Sequence, residues 1–126
     1  MQTSSKSLTE NQQQDLVKRF LILLSDIRRP EEAAAFFNTF LTETEQQVFV
    51  KRLAIVWMLS EGKSYEEIRQ TLHVSSATIS SIAQQKDDQG MQLLIKKMKI
   101  DDWADKWAEK ISQVLPFTKK VGESGS

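Results

Sequence analysis

Between Val48 and Leu59 the sequence reads VFVKRLAIVWML, and no other stretch restricts the fold as much. Wound at 3.6 residues per turn, Val48, Phe49, Val50, Leu53, Ile55, Val56 and Trp57 point in nearly every direction. A helix that is apolar on all sides must be covered on all sides. A chain of 126 residues builds one domain with a core, but it struggles to surround such a helix alone. A second copy of the chain is the economical cover, so the sequence predicts an obligate homodimer.

The rest of the chain is punctuated as helices. It holds four Gly and two Pro, strand-like alternation is hard to find, and apolar residues recur at three and four. Thr9 can cap a first helix over Glu10 to about Ile27, striped by Leu16, Phe20, Leu23, Leu24 and Ile27. Arg28-Arg29-Pro30 stops it, because proline disfavours helix at the residue before it. A second helix starts at Pro30 or Glu31 and runs to Leu41. Thr42 with Glu45 forms a capping box for the apolar helix, which reaches about Glu61 and stops at Gly62.

Ser64, with Glu67 three residues on, reads as another capping box. A short helix, Tyr65 to Leu72, follows, then a turn at His73-Val74-Ser75, then a helix from Ser76 to about Gln85. Ile68, Leu72, Val74, Ile79 and Ile82 supply the shared wedge of core that two helices crossing at a helix-turn-helix angle require. Arg69 stands where a small residue is usual. His73 stands where a glycine of positive φ is usual, a conformation histidine tolerates at some cost. The outward residues Ser76, Ala77, Thr78, Ser80, Ser81, Gln84 and Gln85 suit phosphates and base edges. Ser64 and Ser75 join them at the two helix starts, with Lys63, Arg69 and Lys86 as phosphate clamps. No Arg or Lys lies between Ser76 and Gln85, so arginine-to-guanine contact is excluded there. A helical hairpin serving only protein contacts is the alternative.

The stretch LTETEQQVFVKRLAIVWMLSEGKSYEEIRQTLHVSSATIS, Leu41 to Ser80, resembles the Trp repressor superfamily, closest to its Trp-repressor-like group with unassigned ligands. The matching features are Leu-Thr before an acidic helix start, Arg52 before an aliphatic run, Glu61-Gly62-Lys63 before a short helix, and Ala77-Thr78-Ile79-Ser80. The resemblance implies an all-α, intertwined homodimer whose two helix-turn-helix heads, over 64–86, sit about one DNA turn apart on a palindromic operator. It also implies a ligand pocket at Thr42, Arg52 and Ser81. In the tryptophan-binding relative two arginines hold the ligand. Arg52 matches the first, while Ser81 replaces the second and Ile82 replaces the glycine after it. Serine cannot stack on an indole as guanidinium does. No tryptophan corepressor and no other cofactor is therefore expected. Arg52 has a structural reading too, an ion pair with Glu45 or Glu66, and that reading is preferred.

The domain is expected over 9–117, with disordered tails at 1–8 and 118–126, an insertion at 87–100 and a C-terminal helix at 101–115. Trp103, Trp107, Ile111, Val114 and Leu115 share one face of that last helix and are read as core. Lys96, Lys97 and Lys99 could add phosphate contacts, although lysine runs are usually only solvated.

Composition narrows the functions. With no Cys there is no disulfide, thiol nucleophile or thiolate metal site, and His73 alone cannot build a multi-histidine site. No metal is expected, and no glycine-rich phosphate loop points to an enzyme. Met1 to Glu10 lacks an apolar signal core and no run is long enough to span a membrane, which places the protein in the cytoplasm. Seventeen basic and seventeen acidic residues leave no formal net charge, which argues against a DNA binder unless basic groups are locally concentrated. The sequence reading is a DNA-binding transcriptional regulator, a repressor, whose partners are double-stranded DNA and a second copy of itself. A helical interaction module without DNA affinity and a sensor of a small molecule other than tryptophan are its rivals.

Overall fold

A computed structural model of the protein describes residues 7–100. Six helices follow in order, with no strand among the described residues: α1 (Glu10–Asp26), α2 (Pro30–Phe40), α3 (Glu43–Ser60), α4 (Tyr65–Leu72), α5 (Ser76–Ala83) and α6 (Gln89–Ile100). The all-α expectation holds. The expected helix at 101–115, its tryptophan stripe and the tail at 118–126 lie outside the described residues. So does the tail at 1–8, apart from Ser7 and Leu8, which are exposed and irregular. No described helix is long and apolar enough to cross a membrane.

The chain divides into two compact units between Phe36 and Phe37. In the first, Thr9 closes a capping box with Gln12. The Gln12 amide donates to Thr9 Oγ1 over 3.1 Å, and the Thr9 amide donates to Gln12 Oε1 over 3.0 Å. Ile27 takes an extended conformation and ends α1 ahead of the proline. The rings of Phe20 and Phe36 meet with centroids 6.2 Å apart. No residue of α1 is buried, and Leu16, Val17, Leu21 and Leu23 are all about half exposed.

In the second unit α4, α5 and α6 all pack on α3. Thr42 and Glu45 form the expected capping box, with bonds of 3.1 and 2.9 Å. Just inside it Gln46, a buried polar side chain, donates from Nε2 to the Leu41 carbonyl over 3.0 Å and so ties the entry of α3 to the chain before it. The core is Ile55 and Val56 of α3, Ile68 of α4, and Ile79 and Ile82 of α5. Met58, Leu59, Leu72, Val74, Met91, Leu94 and Ile95 pack around them. Each fully buried isoleucine contributes roughly 1.5–3 kcal/mol of transfer free energy.

As expected, one chain does not surround α3: Val50, Ala54, Ile55 and Val56 are buried, while Val48 and Phe49 remain 49% and 50% exposed. The division runs along the helix: no residue from Leu53 to Ser60 is exposed, because α4, α5 and α6 supply their cover around Ile55, Val56, Met58 and Leu59, whereas Val48, Phe49 and Arg52 of the first half stay exposed. Helix α5 ends at Ala83 rather than near Gln85, because short turns of the Ile82 to Gln85 and Ala83 to Lys86 type replace helical bonds there. Residues 87–100, read as an insertion with no assigned helix, carry α6, which buries Met98 and turns Met91, Leu94 and Ile95 to the core.

Candidate nucleic-acid interface

The interface is built on α4 and α5, and local chemistry sets each end. Ser64 Oγ accepts the Glu67 amide at 3.1 Å. The reciprocal bond from the Glu67 side chain, expected for a capping box, is not among those formed by the described residues. His73 ends α4 in the left-handed conformation, φ 56° and ψ 52°, with its amide donating to the Arg69 carbonyl over 2.9 Å. Apart from Gly62, it is the described residue that takes a positive φ. Ser75 caps α5: its Oγ accepts the Thr78 amide at 3.1 Å and lies 2.9 Å from Thr78 Oγ1.

Ile68 and Ile79 are fully buried between α4, α5 and α3, and Ile82 nearly so. They hold α5 by one face, so the opposite face is presented outward. Ser76, Ala77, Thr78, Ser81, Gln84 and Gln85 are exposed there, as expected, whereas Ser80 is half-buried beside Ile79. Lys63, Ser64 and Lys86 are exposed at the ends of the pair. Arg69 is exposed and does not crowd the crossing of the helices, because its guanidinium turns along α4 to Glu66 at 2.8 Å. Thr78 and Ser75 spend hydrogen bonds on the cap, which leaves Ser76, Ser81, Gln84 and Gln85 as the less committed polar groups of the face.

Arg52 does not form the preferred ion pair. Glu66 is bonded to Arg69 and Gln70, and Glu45 to the Thr42 amide, so both expected partners are engaged elsewhere. Arg52 instead lines a cleft of about 400 Å³ with Ala77, Thr78, Ser81, Ile82 and Gln85. The structure thus brings Arg52 and Ser81 together. It does not bring Thr42 with them: ten residues along α3 separate Thr42 from Arg52 by about 15 Å. Ile82 walls the cleft while belonging to the core. Gln85 was not singled out as a pocket residue. Its signal was its place one turn beyond Ser81 on the same face. A second cleft of about 290 Å³ lies between α3, α5 and α6, walled by Val56, Leu59, Ile82, Met91 and Ile95. Two of its polar groups are already used, since the Ser60 hydroxyl donates to Trp57 and the Gln92 amide to the Lys86 carbonyl.

Glu45 is the titratable group with a resolved shift. The Thr42 backbone amide, and secondarily the Thr42 hydroxyl, hold its carboxyl below the ordinary carboxylate value. This supports the start of α3 and has no bearing on the α5 face.

Compared with known families, the chain matches the family described as Trp repressor protein over residues 8–98, more than two thirds of its length. The match is to the family as a whole, and it extends through most of α6. No curated protein and no solved structure matches the chain.

Proposed function

The chain belongs to the Trp repressor family, and on that premise we propose that α4 and α5 form a helix-turn-helix by which a homodimer binds a palindromic operator and represses transcription in the cytoplasm. Membership already makes a DNA-binding transcriptional regulator the coarse reading. One observation carries the finer one: an eight-residue helix pinned from behind by Ile79 and Ile82, with Ser76, Ala77, Thr78, Ser81, Gln84 and Gln85 facing outward. Such a helix fits the major groove, where short polar side chains reach base edges. Lys63 and Lys86, at the ends of the pair, would hold backbone phosphates and fix its register. Two copies of the chain would set two heads about 34 Å apart, one helical turn of DNA.

Selection of bound duplexes from random DNA tests the proposal. The expected result is an enriched sequence with two inverted half-sites about 10 base pairs apart, centre to centre. Enrichment of no sequence, together with affinity that does not fall as salt rises, would favour the interaction module instead.

The Arg52 cleft supports a second element, an effector other than tryptophan. It offers one guanidinium and the neutral Ser81, Thr78 and Gln85 rather than two cations. A small anion held at Arg52 would touch α3 and α5 at once and bias the orientation of the reading head.

A further inference from the structure

Helix α5 holds no cation between Ser76 and Gln85, yet the phosphate backbone supplies most of the affinity of DNA-binding proteins. Arg69, within the pair, is tied to Glu66. The missing charge is concentrated one element further on. Helix α6 carries Lys96, Lys97 and Lys99 and no acidic residue, and all three are exposed. None of them forms a salt bridge among the described residues, where Arg19, Arg29 and Arg69 do.

The packing of α6 orients these lysines differently. Met91, Leu94, Ile95 and Met98 face the core. Gln92 stands at one edge of that face and reaches the Lys86 carbonyl in the turn that follows α5. Residues four and seven places on share its edge of the helix, so Lys96 and Lys99 lie on the edge of α6 that Gln92 turns toward the α5–α6 turn. Lys97 falls on the other flank. Lys86, exposed in the turn between α5 and α6, adds a cation where Gln92 meets that turn.

We propose that Lys96 and Lys99 are an auxiliary DNA contact, gripping backbone phosphates that flank the bases facing α5. The inference rests on the helix-turn-helix reading above and adds to it a second, sequence-independent grip. It reconciles a chain of zero formal net charge with a polyanionic partner, because the cations are gathered where the duplex would continue.

Three single variants of the full chain carry the same charge change: Lys96→Gln, Lys99→Gln and Lys97→Gln. Each is measured against a mixed-sequence duplex about 40 base pairs long, roughly four helical turns, over a range of salt concentrations. Lys96→Gln and Lys99→Gln are expected to weaken binding several-fold and to flatten the dependence of log affinity on log salt by about 0.9 each. Lys97→Gln is expected to leave the slope unchanged. Unchanged thermal melting of all three keeps folding out of the comparison. Equal effects from the three variants would mean a general charge effect and overturn the proposal. So would wild-type affinity and slope in Lys96→Gln and Lys99→Gln. If the wild-type chain itself shows no salt-dependent binding, the helix-turn-helix reading falls and takes this inference with it.

Discussion

His73 turns the chain between α4 and α5 in a conformation that glycine takes freely and histidine does not. His73→Gly should therefore leave the melting temperature unchanged or raise it, since relief of strain offsets about 0.4–1 kcal/mol of added unfolded-state entropy. His73→Val should lower stability by more than about 1 kcal/mol, because a branched side chain at positive φ is worse still. Denaturant titration of both variants checks the ordering. Thr42→Ala should move the Glu45 carboxyl only part of the way back toward its ordinary value, as followed by NMR titration, because it removes the hydroxyl and leaves the Thr42 amide in place. The sign follows from linkage: a carboxyl held low in the folded state adds stability at neutral pH, and that stability is lost as pH falls through its folded value. At Ser81 and Ile82 the expected result is calorimetric. L-tryptophan should not bind at micromolar affinity, since a cation lost from an indole face forfeits roughly 0.5–2 kcal/mol. Stoichiometric binding that tightens operator affinity would show that Ser81 does not stand in the second arginine's place. The caps and the left-handed turn were legible in the sequence because their causes lie within three or four residues. The fate of Arg52 was not, because it depends on Glu66 having Arg69 and Gln70 beside it.

At the scale of elements, α4 and α5 were readable to within about two residues, since five aliphatic positions and the Ser64 cap agree on one geometry, while the Ser75 cap of α5 emerged from the structure. Lys63→Ala and Lys86→Ala, at the two ends of this pair, should weaken binding across all DNA sequences and each flatten the salt slope by about one. If both leave affinity and slope untouched, the placement of α5 in the groove is wrong. Ser75→Ala should cost about 1 kcal/mol through loss of the α5 cap, seen as an earlier denaturant midpoint. Helix α6 was harder to read. Its apolar residues recur at helical spacing, Met91, Leu94, Ile95 and Met98, but no Ser or Thr cap announces it and Gly90 stands in its first turn. As an insertion in the family's register the segment carries no expected helix, yet the spacing of these four apolar residues is helical.

For the whole molecule the open question at the sequence level was what covers α3, and one chain covers its second half, from Leu53 to Ser60, while Val48 and Phe49 stay exposed. Val48 and Phe49 of α3 are about half exposed, and so, in the other unit, are Leu16, Val17, Leu21 and Leu23 of α1; apolar side chains left open in this way favour cover by a partner. Sedimentation at micromolar concentration should accordingly give twice the mass of the chain, 14.5 kDa. Phe49→Glu should shift the equilibrium toward the monomer and weaken operator binding, because one head loses the other. A well-folded wild-type monomer at that concentration would sink the dimer. That α3 needs more cover than one chain gives could be anticipated from the apolar run, but which part of α3 stays open depends on where α4, α5 and α6 dock, and no local pattern encodes that.

A helix of 17 residues with no buried side chain has little to hold it beyond its own hydrogen bonds and cap. In a chain that has not found its partner, the amides of α1 should exchange with solvent deuterium far faster than those of α4 and α5, whose isoleucines are sealed in the core. Refolding should then show a fast step for α3 to α6 that is independent of concentration, followed by a slower second-order step in which α1 becomes protected only as quickly as two chains meet.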